Sequence, residues 1–219
     1  MKDKSKNKVS KQNIILTLIG ISVILLSAYN IISLSLQEGS KKSQFTKLEN
    51  KYYVVGKDPS DYQKEVFSEL SKELEESNVN YKKVSELVAE SFVIDFFTWT
   101  NKDSTYDIGG LQYVLDKNTF YKEAKWNYYQ KLDVYKESYA KDQLPIVVSV
   151  NKNSEKIEDY LIEEKNYPAY KVDLNWKYGE DVSSKFKNLI NDCEITLIED
   201  NGKIVIVEVL MMDEVSQDE

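Results

Sequence analysis

Residues 189–212 read LINDCEITLIEDNGKIVIVEVLMM. Asn201-Gly202 is the strongest short hairpin signal a sequence carries, because a two-residue type I′ turn needs positive φ at both central positions. Aliphatic and β-branched residues crowd both sides of it. Residues 189–199 and 203–212 are therefore expected as the two arms of a hairpin. In the second arm Val205, Val207 and Val209 share one face, and Ile204, Ile206 and Leu210 fall on the other. Apolar residues on both faces predict a strand that is central or covered on both sides.

Upstream, residues 167–178 give the clearest alternation in the chain. Tyr170, Val172, Leu174, Trp176 and Tyr178 interleave with Lys171, Asp173, Asn175 and Lys177, which sets one face in a core and the other in water. Residues 146–150 read as the first strand, and residues 160–162 either extend it or begin the next. Residues 180–188 read as a loop or short helical turn.

Pro145 divides this region from one of helical period. Residues 60–76 predict a helix capped by Ser60 or Asp61, with Val66, Phe67, Leu70 and Leu74 as its apolar stripe. Residues 81–100 predict a second. Val84, Leu87, Val88, Phe92, Phe96 and Trp99 form its main face, and Val93, Ile94 and Phe97 widen it, so it should be clamped between a sheet and another layer. Residues 101–110 form a loop ending in Gly109-Gly110, and residues 111–115 read as a short strand. A third helix is expected over 118–139, capped by Asp116 or Asn118, with Phe120, Ala124, Tyr128, Leu132, Tyr135 and Tyr139 near one-turn spacing. Helices first and a hairpin-linked antiparallel sheet last is an α+β order.

Before this domain lies a stretch of another kind. Residues 13–36 carry no charge and would make about 36 Å of helix at 1.5 Å per residue, enough to cross a hydrocarbon core of about 30 Å. Lys2, Lys4, Lys6, Lys8 and Lys11 precede the stretch against a lone Asp3, whereas Glu38, Lys41 and Lys42 follow it. The denser lysine cluster places the N-terminus in the cytoplasm and the rest outside. A cleaved signal peptide is the competing reading, with residues 14–26 as its apolar core and Ser33-Leu34-Ser35 as the cleavage site. The apolar run is longer than such a core, and no A-x-A motif ends it, so an anchor is expected. The resulting organisation is a cytoplasmic tail (1–12), a transmembrane helix (13–36), a stalk (37–59, helical near 43–51), an extracytoplasmic domain (60–212) and an acidic tail (213–219).

The residues that are missing limit the chemistry. All 29 cationic side chains are Lys, with neither Arg nor His, and Cys193 is the sole cysteine. No imidazole serves as a general base or zinc ligand, no guanidinium fork grips phosphate, and no disulfide forms within the chain. No D-x-[DN]-x-[DN]-G run suggests calcium. The expectation is no cofactor and no metal. The tail carries +4, so the net charge of −8 leaves −12 for the remainder, which argues against a nucleic-acid partner.

The segment FVIDFFTWTNKDSTYDIGGLQYV, residues 92–114, resembles a passage in membrane-anchored proteins of low-GC Gram-positive bacteria. The element order over 60–212 looks like the nuclear transport factor 2-like cone, three helices packed on a curved antiparallel sheet. An anchor followed by such a domain is the plan of inner-membrane assembly factors of type IV secretion and of TcpC-like conjugation proteins. The resemblance implies a membrane-tethered interaction module whose partners are other envelope proteins or further copies of itself, rather than an enzyme.

The same superfamily includes isomerases and dehydratases, so the alternative is a small-molecule site in the cone. Its candidate lining is Phe96, Trp99, Trp126 and Trp176, with Asp95 and Asp173 as carboxylates and Asp107 as a further candidate. Candidate interface residues are Tyr121, Tyr129 and Tyr170, because tyrosine is enriched at interfaces. Ser138-Tyr139-Ala140-Lys141 matches S-x-x-K but lacks the companion K-T-G and S-D-N elements, and is read as coincidence.

Overall fold

The computed structural model describes residues 48–179, 182, 186 and 189–212. The tail, the apolar stretch 13–36, the first part of the expected stalk and residues 213–219 lie outside the described residues, as does most of 180–188. Among the described residues, no helix is long and apolar enough to cross a membrane.

The chain folds as α+β. Four strands, β1 (Val147–Ile162), β2 (Lys165–Tyr178), β3 (Asp192–Asp200) and β4 (Lys203–Met211), form one antiparallel sheet in the order β1-β2-β3-β4. The alternation of β2 is realised directly, with Tyr170, Val172, Leu174 and Trp176 buried on the inner face. The β3–β4 turn is Asn201-Gly202 with φ of 53° and 82°, the left-handed pair a type I′ turn requires.

The β1–β2 turn uses the same geometry with different residues. Glu163 and Glu164 hold φ of 47° and 69°. Neither is a turn-forming type, so the sequence gives no hairpin signal there. β1 consequently runs unbroken through residues that read as two fragments, with register shifts between Val147 and Ser149 and between Ile157 and Tyr160.

β4 lies at an edge of the sheet, not at its centre. A register shift opposite Thr196 and Leu197 pairs Leu197 with Ile206 and Thr196 with Glu208, leaving Val207 as an extra residue. Simple alternation therefore fails at that point. Ile204 and Ile206 enter the main core with Val209 and Met211 beside them. On the opposite face Val205 joins Ala169 and Ile198 in a smaller cluster, flanked by Ile157, Tyr160 and Val207. Both faces of β4 are apolar because each covers a separate cluster.

Helix α1 (Asp61–Glu75) begins at Ser60, whose side chain accepts from the Gln63 N–H, and it buries Val66, Phe67 and Leu70. Helix α2 (Tyr81–Phe97) begins at Asn80 and is buried almost continuously from Leu87 to Phe97. It lies between α1 and the sheet, as its wide apolar surface demands. It stops three residues before the expected end, where the Trp99 N–H turns to the Pro145 carbonyl. Residues expected as a short strand form a 3-10 turn, Leu111–Tyr113, followed by a single parallel bridge from Val114 to Ile206.

The third helix is broken. It comprises α3 (Lys117–Ala124, capped by Asp116), a π-helical turn (Lys125–Tyr129) and α4 (Leu132–Ser138). Phe120, Ala124, Tyr128 and Leu132 recur every four residues, a step wider than the 3.6-residue α-turn, and the wider π-turn absorbs the drift. Tyr129 thereby enters the core while Trp126 points outward, 67% exposed.

The folded domain also begins earlier than Ser60. Glu49 bridges Val54, and the Asn50 side chain accepts from the N–H groups of Tyr52 and Tyr53. Tyr53 and Val55 are core residues. The Tyr53 hydroxyl donates to the Ile204 carbonyl at 2.6 Å and accepts from the Ile204 N–H at 3.2 Å, tying this turn to the start of β4. Residues 48–59 thus belong to the domain rather than to a stalk, and Glu49 lies in a β-bridge where a helix was expected.

Candidate functional site

The most polar part of the interior is a clasp around the loop 101–110. Asp95, near the end of α2, is buried. Its carboxylate meets the Lys102 ammonium at 2.7 Å and accepts from the Gly110 N–H at 2.7 Å. A Cβ on Gly109 would lie 2.1 Å from the Asp95 carbonyl oxygen, so only glycine lets the two backbones approach so closely. The Tyr129 hydroxyl donates to the Phe96 carbonyl at 2.5 Å and accepts from the Gly109 N–H. Burial raises the Tyr129 phenol well above its ordinary range.

From α4, Asp133 accepts from the N–H and hydroxyl of Thr105, and Lys136 donates to the carbonyls of Lys102 and Asp103. Asp107 accepts from the Asp103 N–H. These bonds fix the loop, and the acidic groups in them are occupied by Lys102, the Thr105 hydroxyl and backbone amides.

A second polar cluster lies where α2 crosses β1. Glu90 accepts from the Tyr62 hydroxyl at 2.6 Å and pairs with Lys152. Ser154 donates to Glu86, and Lys83 reaches Glu69 at 2.7 Å. The Tyr62 phenol is pushed up, first by burial and then by Glu90. Sequence reasoning missed this cluster. Its signal was Glu86 and Glu90 one turn apart on a helix expected to be covered on both sides, where carboxylates need partners.

The expected pocket residues do not converge. Phe96 and Trp99 line a cavity of about 480 Å³, together with Tyr128, Tyr135, Tyr178 and Phe186, and Asn127, Gln130 and Lys131 supply its polar groups. Trp126 stands on the exposed side of the π-turn, away from it. Trp176 is buried in the core with its ring centroid 4.4 Å from that of Phe97. Asp95 belongs to the clasp. Asp173, on the outer face of β2, lines a separate surface depression with Asn151, Asn153 and Asn175.

Of the candidate interface tyrosines, Tyr129 is fully buried and Tyr170 is buried, so neither is presented to a partner in this fold. Tyr121 is half-buried on α3. Cys193 is buried, and burial, with Asp192 and Asp173 nearby, pushes its thiol up to about 12. Ser138 and Lys141 do not meet as a nucleophile and base. Ser138 donates to the Val134 carbonyl, and Lys141 faces Asp58 at 3.8 Å. No cluster of metal-ligating side chains occurs among the described residues.

Comparison of the chain with protein-family models, curated proteins and solved structures gives no match.

Proposed function

We propose that this chain is a single-pass membrane protein that holds an α+β interaction domain at the outer surface of the cell membrane, as a scaffold component of a conjugation or secretion apparatus. The observation that carries this reading is the uncharged apolar stretch 13–36 with its lysines concentrated on the N-terminal side. The domain that follows has its helices first and an antiparallel meander last, an α+β order that supports the reading without fixing the family. The most buried carboxylates, Asp95 and Glu90, are each paired with a lysine, which suits structural roles better than proton transfer.

The test is co-isolation of the full-length chain after crosslinking in intact cells. Recovery of the ATPase or channel subunits of an envelope apparatus supports the reading. Recovery of metabolic enzymes in their place contradicts it.

A second reading, uptake of a small apolar ligand, rests on the aromatic cavity beside Phe96 and Trp99. Its volume lies in the range of small-molecule sites, roughly 300–1,000 Å³. Quenching of tryptophan fluorescence by flat apolar compounds, lost in Trp99→Phe, would favour it.

A further inference from the structure

The sheet has two edges, and the chain treats them differently. Along β1 the outer half carries Glu155, Lys156, Glu158 and Asp159, all exposed, and a register shift between Ile157 and Tyr160. Charge and irregularity of this kind deter strand addition. Beyond Val207, β4 has no further register shift and a single charge. Glu208-Val209-Leu210-Met211 has no lysine and no proline, and it pairs in regular register with β3. Its outer edge is covered at Ile206 by Val114, and the Leu115 N–H donates to the Ile206 carbonyl. From Val207 to Met211 no described residue pairs with that edge.

The direction of the backbone groups follows from the ladder. The Met212 N–H donates to the Asp192 carbonyl on β3. In an antiparallel pair, alternate residues point to the same neighbour. Leu210 and Glu208 therefore also point to β3, and the N–H and C=O groups of Val209 and Met211 point away from it. They face a groove of about 470 Å³ between β4 and α3. Phe120, Ala124 and Ile206 give this groove an apolar floor, Asp116 and Glu123 line it from the α3 side, Glu208 borders it on β4 with its carboxylate accepting from the Thr196 hydroxyl, and no lysine lines it.

We infer that the edge of β4 left uncovered by the described residues is a docking site for an extended segment of a partner protein, which adds as a fifth strand along Glu208–Met211 and bears lysine or arginine side chains facing Asp116, Glu123 and Glu208. Main-chain bonds to Val209 and Met211 supply affinity, and the carboxylates select the side chains. Charge argues against two other occupants. A second copy would bring the same acidic rim to the contact. Residues 213–219 of this chain carry four carboxylates and no lysine. The inference rests on the interaction reading above and gives it a location and a partner chemistry.

The test uses the full-length protein in detergent micelles with two synthetic peptides, one alternating Val and Lys and the other alternating Val and Glu. The lysine peptide is expected to bind about ten-fold more tightly, the effect of a few exposed ion pairs. Its binding should slow hydrogen exchange at the Val209 and Met211 amides. Glu123 and Glu208 are both exposed, so E123K/E208K leaves the core intact and should reverse the preference. Equal affinity for both peptides, no binding, or binding without slowed exchange at those amides would overturn the inference. Slowed exchange that grows with protein concentration and needs no peptide would also overturn it, by identifying a second copy as the occupant. If peptide binding fails while the chain still co-isolates with an envelope apparatus, this inference fails alone.

Discussion

The Asp95 carboxylate and the Lys102 ammonium lie 2.7 Å apart with both side chains removed from solvent. The pair joins the last turn of α2 to the loop that follows, and the Gly110 N–H completes the carboxylate's bonding. Such a pair adds little net stability over an apolar substitute, yet loss of one member strands a buried charge. Lys102→Met should therefore destabilise the fold by about 3–5 kcal/mol in urea titration. Asp95→Asn in the same chain should recover most of that loss, because the amide oxygen still accepts from Gly110.

The Glu163-Glu164 turn predicts a gain. Two non-glycine residues in the left-handed region cost about 1–2 kcal/mol each, and Asn-Gly adopts the same turn readily. Glu163→Asn with Glu164→Gly should raise the urea midpoint without changing the slope. An unchanged or lower midpoint would mean that the carboxylates hold the turn in another way.

Gln63 offers a second gain. It is buried in α1, and neither its amide nitrogen nor its oxygen has a hydrogen-bond partner among the described residues. Removing a buried unsatisfied group of this kind returns about 1–3 kcal/mol. Gln63→Met, close in volume, should stabilise the domain in the same titration.

Stability should fall in alkali. Burial raises the thiol of Cys193 from 9.0 to about 12, and raises the phenols of Tyr53, Tyr113 and Tyr178 above their ordinary 10.0. A group whose pKa is higher in the folded state holds its proton there while the unfolded chain releases it. Its stabilisation is complete below the unfolded pKa and is lost as pH rises toward the folded one. The unfolding free energy should be insensitive to these groups at neutral pH and decline above pH about 9, where Cys193 leads. Cys193→Val should remove the earliest part of that decline and leave the part beginning near pH 10.

Much of this fold was legible where local chemistry and tertiary demand agree. Asn201-Gly202 made the predicted turn, Ser60 capped the predicted helix, and the alternation of Tyr170 to Trp176 marked the buried face of β2. The unread parts depend on partners distant in sequence. Glu163-Glu164 turns because long strands on both sides impose the turn. The break in the third helix follows from Tyr129 reaching Phe96 and Gly109. The early start of the domain depends on Tyr53 bracketing Ile204, 151 residues away. Asp95 stood out as a carboxylate on an apolar helix, but nothing nearby indicated that Lys102 would fold back to neutralise it. Aromatic spacing does not separate cavity from core: Trp176 lies in the core and Trp126 on the exposed side of the π-turn, apart from Phe96 and Trp99.

Thiol labelling in intact cells distinguishes a membrane-tethered outer domain from a released or cytoplasmic one. Cys193 is buried with its thiol pushed up to about 12, so it should stay silent to a membrane-impermeant maleimide at neutral pH. Glu158→Cys, on the exposed outer half of β1, should label in intact cells; Ser5→Cys should label only after the membrane is opened. Labelling of Ser5→Cys in intact cells with Glu158→Cys protected would reverse the orientation, and recovery of the domain in the culture medium would contradict the tether itself.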